Sequence, residues 1–212
     1  KIIERPRDKT IVTESEMNLL FRQFEKDHQN NPAYIPTYAV EFATLTGMRV
    51  GEIAALSWDD ITEDCIVVSK SEKYDRINKV YFIDSTKNFK KRQFPITCEI
   101  RKLLHAVKIV EAKNGYFCEW VFANEYGRIH APVISSCIKN KCRQVGITEK
   151  GIHAFRRTIN SEMRHNGVSP TVAAALLGHT EAVNENYYTF DISDMDEKRN
   201  IIERINKKGS QR

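Results

Sequence analysis

Apolar residues in this chain recur at three- and four-residue spacing along most of its length, and that spacing breaks once, between residues 65 and 95. The break constrains the fold more than any other feature, because a helical face needs a period near 3.6 and a strand a period of 2. Before it, Thr13 and Glu16 spell the capping box T-x-x-E ahead of Met17, Leu20, Phe21 and Phe24. A second helix follows Pro36, carries Tyr38, Val40, Phe42, Ala43 and Leu45 as apolar positions, and stops at Gly47. Residues 50–56 make a short third helix. Inside the break, CIVVSK, KVYFI and RQFPI are brief β-type runs between polar, basic turns. They predict one small antiparallel sheet whose last strand ends at Pro95. Helical pattern returns over 98–112, where Ile100, Leu103, Leu104, Val107 and Val110 share a face. It continues from Pro132 to about residue 145, and again around 152–165, 170–177 and 181–188. The expected fold is α+β and mostly helical, with a small antiparallel β-sheet near the N-terminal third of the chain.

With 41% hydrophobic and 29% charged residues, and only nine Gly and six Pro in 212, the chain is not collagen-like, low-complexity or largely disordered. No apolar run approaches the roughly 20 residues that span a bilayer. The N-terminus KIIERPRDKT has no signal-peptide core. Cysteines at 65, 98, 118, 137 and 142 are odd in number and form no C-x-x-C. Neither a disulfide framework nor a metal site is expected, and the chain reads as cytoplasmic. It begins at Lys1 rather than Met, as a fragment of a longer protein would. The net charge is +5, and residues 70–92 hold eight basic residues against three acidic ones, an excess equal to that of the whole chain. A polyanion-facing loop and a solvated hairpin fit that charge equally well.

Three segments hold residue types that carry chemistry. In TGMRVGEIAAL, Arg49 lies just past the helix-stopping Gly47, with Glu52 three residues on as a natural ion-pair partner. In GIHAFRRTINSEM, His153 and Arg156 are three apart on a helix and share a side of it. A guanidinium there can fork a phosphate bidentately and keeps its charge at any working pH. In AAALLGHTEAVNENYYTFD, His179 follows Gly178 at a helix end, and Tyr187 and Tyr188 come shortly after. Singly, each also has a structural explanation: a surface ion pair, a helix cap, a core tyrosine.

In this order the segments closely resemble the catalytic domain of the tyrosine recombinases, the integrases of phages and conjugative transposons. The resemblance runs from about Arg5 to Asp191. TGMRVGEIAALSWDDI is similar to the family's first arginine motif, which implies Arg49 as a phosphate-binding arginine and Glu52 as its supporting carboxylate. STKNFKKRQFPI is similar to the β-hairpin that carries the family's lysine, implying Lys87, with Lys90 as the competing position. HAFRR implies His153 and Arg156, LLGH implies His179, and the nucleophile nine residues later is Tyr188, next to Tyr187.

The resemblance also implies a domain layout and a mechanism. Residues 1–191 would be the catalytic domain, lacking the core-binding domain that precedes it in full recombinases. Residues 192–212 would be an amphipathic tail, with Ile192, Met195, Ile201, Ile202 and Ile205 on one face, suited to docking on a neighbouring protomer or on its own core. Tyr188 would attack a DNA phosphodiester and hold the 3′-phosphate covalently, while Arg49, Arg156 and His179 stabilise the charge on the non-bridging oxygens. His153 would assist proton transfer and Lys87 would protonate the departing 5′-oxygen. No cofactor or metal enters that scheme. The implied partners are double-stranded DNA, other protomers forming a tetramer on paired sites, and accessory DNA-bending proteins. Two other functions use the same features: a type IB topoisomerase-like relaxing enzyme, which would act as a monomer, and a non-catalytic DNA-binding module of the same fold.

Overall fold

Helix α1 (Glu14–Asn30) begins at its capping box: Thr13 Oγ1 accepts from Glu16 N at 3.3 Å, and the Glu16 carboxylate accepts from Thr13 N at 2.9 Å. A cap of this kind is worth about 1 kcal/mol. The computed structural model describes residues 11–86, 91–180, 182, 195–196 and 198–200. Leu20 and Phe24 face inward from α1, with Met17 and Phe21 half-buried beside them. Helix α2 (Ile35–Thr46) takes Pro36 into its first turn, where a missing N–H costs nothing. Ten of its twelve residues are buried, so it runs through the centre of the domain with α1, α4 (Cys98–Asn114), α5 (Ala131–Gln144) and α6 (Ile152–His165) packed around it.

Helix α3 (Val50–Ala54) is shorter than its apolar pattern suggests. Ala55 and Leu56 bond three residues back, to Glu52 and Ile53, and this tightening ends the helix. Ser169 caps α7 (Pro170–Leu177) at its start, and Gly178 closes it with φ +67°. The expected helix over 181–188 falls outside the described residues, apart from helical Ala182. At the start of the described chain, Val12 is buried and both donates to and accepts from Thr158 on α6.

The segment of broken period forms two antiparallel ladders, one nested in the other, where the sequence suggested a single sheet. β1 (Cys65–Val68) pairs with β4 (Arg92–Pro95), and β2 (Lys70–Asp75) pairs with β3 (Val80–Ser85). β2 was not legible as a strand because SEKYD has no apolar alternation. Its stabilising contacts are cross-strand ones: Lys73 on Asp84 at 2.5 Å, and Tyr74 against Tyr81 with ring centroids 4.7 Å apart. Glu72 docks this hairpin on the helices. Its carboxylate is buried, accepts from Arg128 Nη1 at 2.6 Å and Ala131 N at 2.8 Å, and lies 2.6 Å from His130 Nδ1. A third ribbon, β5 (Ala123–Asn124) with β6 (Gly127–Arg128), turns the chain into α5.

Candidate active site

Arg49 is the residue just before α3, and its position is set by Glu52 one turn on. Glu52 Oε2 accepts from the Arg49 backbone N at 3.0 Å, and Oε1 accepts from Arg49 Nη1 at 2.9 Å. The other arm of the guanidinium, Nη2, donates to the Gly178 carbonyl at 3.0 Å, across 129 residues of sequence. The Arg49 side chain is 35% exposed, so part of its charge faces solvent.

Arg156, on α6, is wholly enclosed. Its Nη1 donates to Gly47 O at 2.8 Å and its Nη2 to Leu177 O. Nε and Nη2 also reach His179 Nε2, at 2.9 and 2.7 Å. A guanidinium has no lone pair to offer, so His179 Nε2 is the acceptor and the imidazole proton sits on Nδ1. Gly178 orients the ring: its αL conformation returns Gly178 N to Ala174 O and Ala175 O, and His179 N to Ala174 O. His153, one turn before Arg156, lies exposed at the surface. The two residues share a side of α6, as their spacing predicted, but burial divides them: one is locked into carbonyls and the other keeps a surface in contact with solvent.

These groups strongly perturb one another. Burial alone would raise the Glu52 carboxyl, but the hydrogen bond and charge of Arg92, with the charge of Arg49, hold it down at about 2. Burial lowers His179 to about 3, reinforced by Arg156, Arg49 and Arg92. His153 is lowered as well, through the loss of hydration where its ring meets the surrounding protein atoms and through the charges of Arg156, Arg157 and Arg49. Both histidines are therefore held toward the neutral form, and Glu52 is ionised. Two guanidiniums, those of Arg49 and Arg92, converge on the one carboxylate with a third, Arg156, close by, and the site's positive surplus suits an anion in front of Arg49.

Of the residues singled out from sequence, Arg49, Glu52, Arg156 and His179 meet here, with His153 at the rim. Lys87, Lys90, Tyr187 and Tyr188 lie outside the described residues. Sequence reasoning missed Arg92, the first residue of β4. Its Nη1 and Nη2 fork both oxygens of Glu52 at 2.9 and 2.6 Å, and its Nε donates to Leu176 O at 3.0 Å. The sequence offered only an arginine at the head of a β-type run, and it was counted with the basic segment. That segment is less available to a polyanion than its charge suggests. Lys70 pairs with Asp60 at 2.9 Å, Lys73 with Asp84, and Arg92 with Glu52.

Arginines and a neutral histidine are thus gathered around the ends of α2 and α7 in a mostly helical domain. The chain belongs to the phage integrase family, whose sequence pattern it matches over residues 10–194. It is 26% identical over 188 residues to tyrosine recombinase XerC of Pediococcus pentosaceus, covering 83% of this chain and 56% of that protein. It is 27% identical over 191 residues to a XerC-like tyrosine recombinase of Caldanaerobacter subterraneus subsp. tengcongensis, covering 76% of this chain and 46% of that one. The chain thus spans about half the length of these curated relatives. Among solved structures, it shares its fold with the Tn1549 transposon integrase in complex with transposon right end DNA. The TM-score is 0.72 at 17% identity, over 92% of this chain and 66% of that one. It also shares it with XerA recombinase, at TM-score 0.66 and 19% identity, over 92% of this chain and 65% of that one. Among the described residues, no helix is long and apolar enough to cross a membrane.

Proposed function

We propose that this chain is the catalytic portion of a site-specific DNA recombinase of integrase type, cleaving and rejoining DNA through a 3′-phosphotyrosine. The observation that carries the reading is a convergence. Arg49, Arg156 and His179 stand up to 130 positions apart in sequence, yet they meet at the ends of α2 and α7: Arg49 donates to Gly178 O, and Arg156 to Gly47 O, Leu177 O and His179 Nε2. A merely structural ion pair would have no use for a half-exposed guanidinium beside a histidine kept neutral.

In the proposed step, Tyr188 Oη attacks the scissile phosphorus in line as the P–O5′ bond breaks. The phenolic proton leaves with help from His153, and the 5′-oxygen takes a proton from Lys87. Arg49 is the donor best placed to meet charge that grows on the non-bridging oxygens, with Arg156 and His179 behind it. Residues 1–191 form the catalytic domain in this reading, and residues 192–212 a tail that docks on a neighbouring protomer. The partners are duplex DNA, further protomers on paired sites and accessory DNA-bending proteins, in the bacterial cytoplasm.

The test is covalent capture. The protein is incubated with a library of nicked random duplexes, and protein–DNA adducts that survive denaturation are recovered. Wild type is expected to trap a subset of sequences, and Tyr188→Phe to trap none while still binding them. Tyr187→Phe should stay within about tenfold of wild type, because the nucleophile is untouched. Loss of the adduct in Tyr187→Phe alone would move the nucleophile by one residue. No adduct with wild type would overturn the reading.

A further inference from the structure

Glu52 is buried and serves two arginines at once. Arg49 takes one side of it from within the same turn, and Arg92 takes both oxygens from β4, 40 residues away. Arg92 is itself nearly buried, with a side chain 10% exposed. Its third bond, to Leu176 O, grips the last turn of α7 just before the Gly178–His179 cap. The cap leaves no spare room for it: a Cβ built on Gly178 would lie 2.9 Å from Arg92 Nη1 and 3.2 Å from its Cδ and Cζ. The contacts form a closed circuit, from Arg92 to Glu52, to Arg49, to the Gly178 carbonyl, and back through Leu176 to Arg92. It joins β4, α3 and α7, none of which is adjacent to another in sequence.

We infer that Arg92 is a positioning residue for this site, aiming Arg49 through Glu52 while fixing the His179 cap against the head of β4. The inference rests on the recombinase reading for its reaction, and on the circuit alone for its geometry. Without Arg92, Glu52 keeps only the Arg49 bonds and is free to turn with it, so the exposed arm of Arg49 loses its direction. Lysine cannot replace it, since a single ammonium cannot fork both Glu52 oxygens and also reach Leu176 O.

Two measurements test this, and their failures are distinguishable. The first compares cleavage of a captured duplex with cleavage of the same duplex bearing a methylphosphonate at the scissile position. There a neutral methyl replaces one non-bridging oxygen, so Arg49 has less charge to meet. Arg92→Met should slow phosphodiester cleavage about a hundredfold, the scale of a misplaced catalytic group. Relative to wild type on the same substrate, its loss on the methylphosphonate should be under about tenfold, as for Arg49→Met. Arg92→Lys should fall between wild type and Arg92→Met. Equal losses on both substrates would mean that Arg92 only supports the fold, and would overturn the proposal.

The second measurement needs no chemistry: duplex affinity, by fluorescence anisotropy, for wild type, Arg92→Met, Arg49→Met and the double variant. The cost of Arg92→Met, or of Arg92→Lys where Met impairs folding, should vanish in the Arg49→Met background. Additive costs overturn the proposal. A vanishing cost in a chain that forms no adduct would instead overturn the recombinase reading and leave Arg92 in its role.

Discussion

Arg156 and Arg49 are the same residue type in the same site, and their burial separates what each does. Arg156 has no exposed surface and satisfies Gly47 O, Leu177 O and His179 Nε2 from inside the fold. Truncating it strands carbonyls that no water can reach, so Arg156→Met should cost about 3 kcal/mol in urea unfolding. Arg49 is 35% exposed and its carbonyl and carboxylate partners are reachable by solvent or by Arg92. Arg49→Met should therefore cost less than about 1 kcal/mol of stability. Its DNA cleavage should still fall more than about a hundredfold, because donors aimed at developing charge weigh more on rate than on folding. An Arg156→Met protein as stable as wild type would contradict the burial argument. At this scale the sequence singled out residues that the fold brings together, but could not rank them by exposure. His153 and Arg156 look equivalent on a helical wheel, and only the carbonyls of α2 and α7 make one of them internal.

At the scale of elements, helix boundaries were legible wherever a local rule sets them. The Thr13 box and the glycine stops at 47 and 178, read from the sequence, lie within a few residues of the bonds they make, and in the structure so do the Ser169 cap and the Gly115 stop. The glycine stops also allow a controlled comparison. Gly115 and Gly178 both close a helix in the αL region, with φ +74° and +67°. A Cβ at Gly115 would meet nothing within 4 Å, whereas at Gly178 it would press on Arg92. Gly115→Ala should pay only the backbone strain, about 1 kcal/mol, with cleavage unchanged. Gly178→Ala should cost more than that and should also slow cleavage, since Arg92 must leave Glu52 to make room. Thermal unfolding and adduct formation, measured side by side, decide it; equal penalties in both variants would mean Arg92 is not pressed against the cap. The β2–β3 hairpin was illegible for the converse reason. Its strand β2 is held by Glu72 on Arg128 and Ala131, more than 50 residues away, and no local pattern carries that information.

At the scale of the whole molecule, a strongly shifted titrating group also lies away from the site. Glu111, near the end of α4, is buried and accepts from Ala123 N at 3.1 Å and Trp58 Nε1 at 3.3 Å, tying α4 to β5 and to the turn after α3. Burial outweighs those two bonds and raises its carboxyl to about 7. The native state thus keeps a proton that the unfolded chain has released above its ordinary value of 4.5. The stability this proton contributes is complete below pH 4.5 and is lost as the pH rises toward and through 7. Glu111→Gln cannot ionise, so its stability relative to wild type should improve by about 3 kcal/mol between pH 4 and 8. Urea titrations at both ends of that range check it. A difference that stays constant with pH would mean that Glu111 does not titrate in this window.

By itself the sequence determined the helical class, the place where strands interrupt it and most helix ends, and it singled out Arg49, Glu52, Arg156 and His179, which the fold brings together. All of these depend on spacing or on capping within a few residues, or on motifs whose order resembles a known family. Only the tertiary structure decided that the strands form nested ladders, that Arg156 is enclosed while Arg49 is not, and that Arg92 joins Glu52. Those outcomes turn on contacts such as Arg156 with Gly47, 109 residues apart, and Arg92 with Glu52, 40 apart. Whether a buried charge finds its partner is settled by how the helices pack around α2, and no local stretch of sequence encodes that packing.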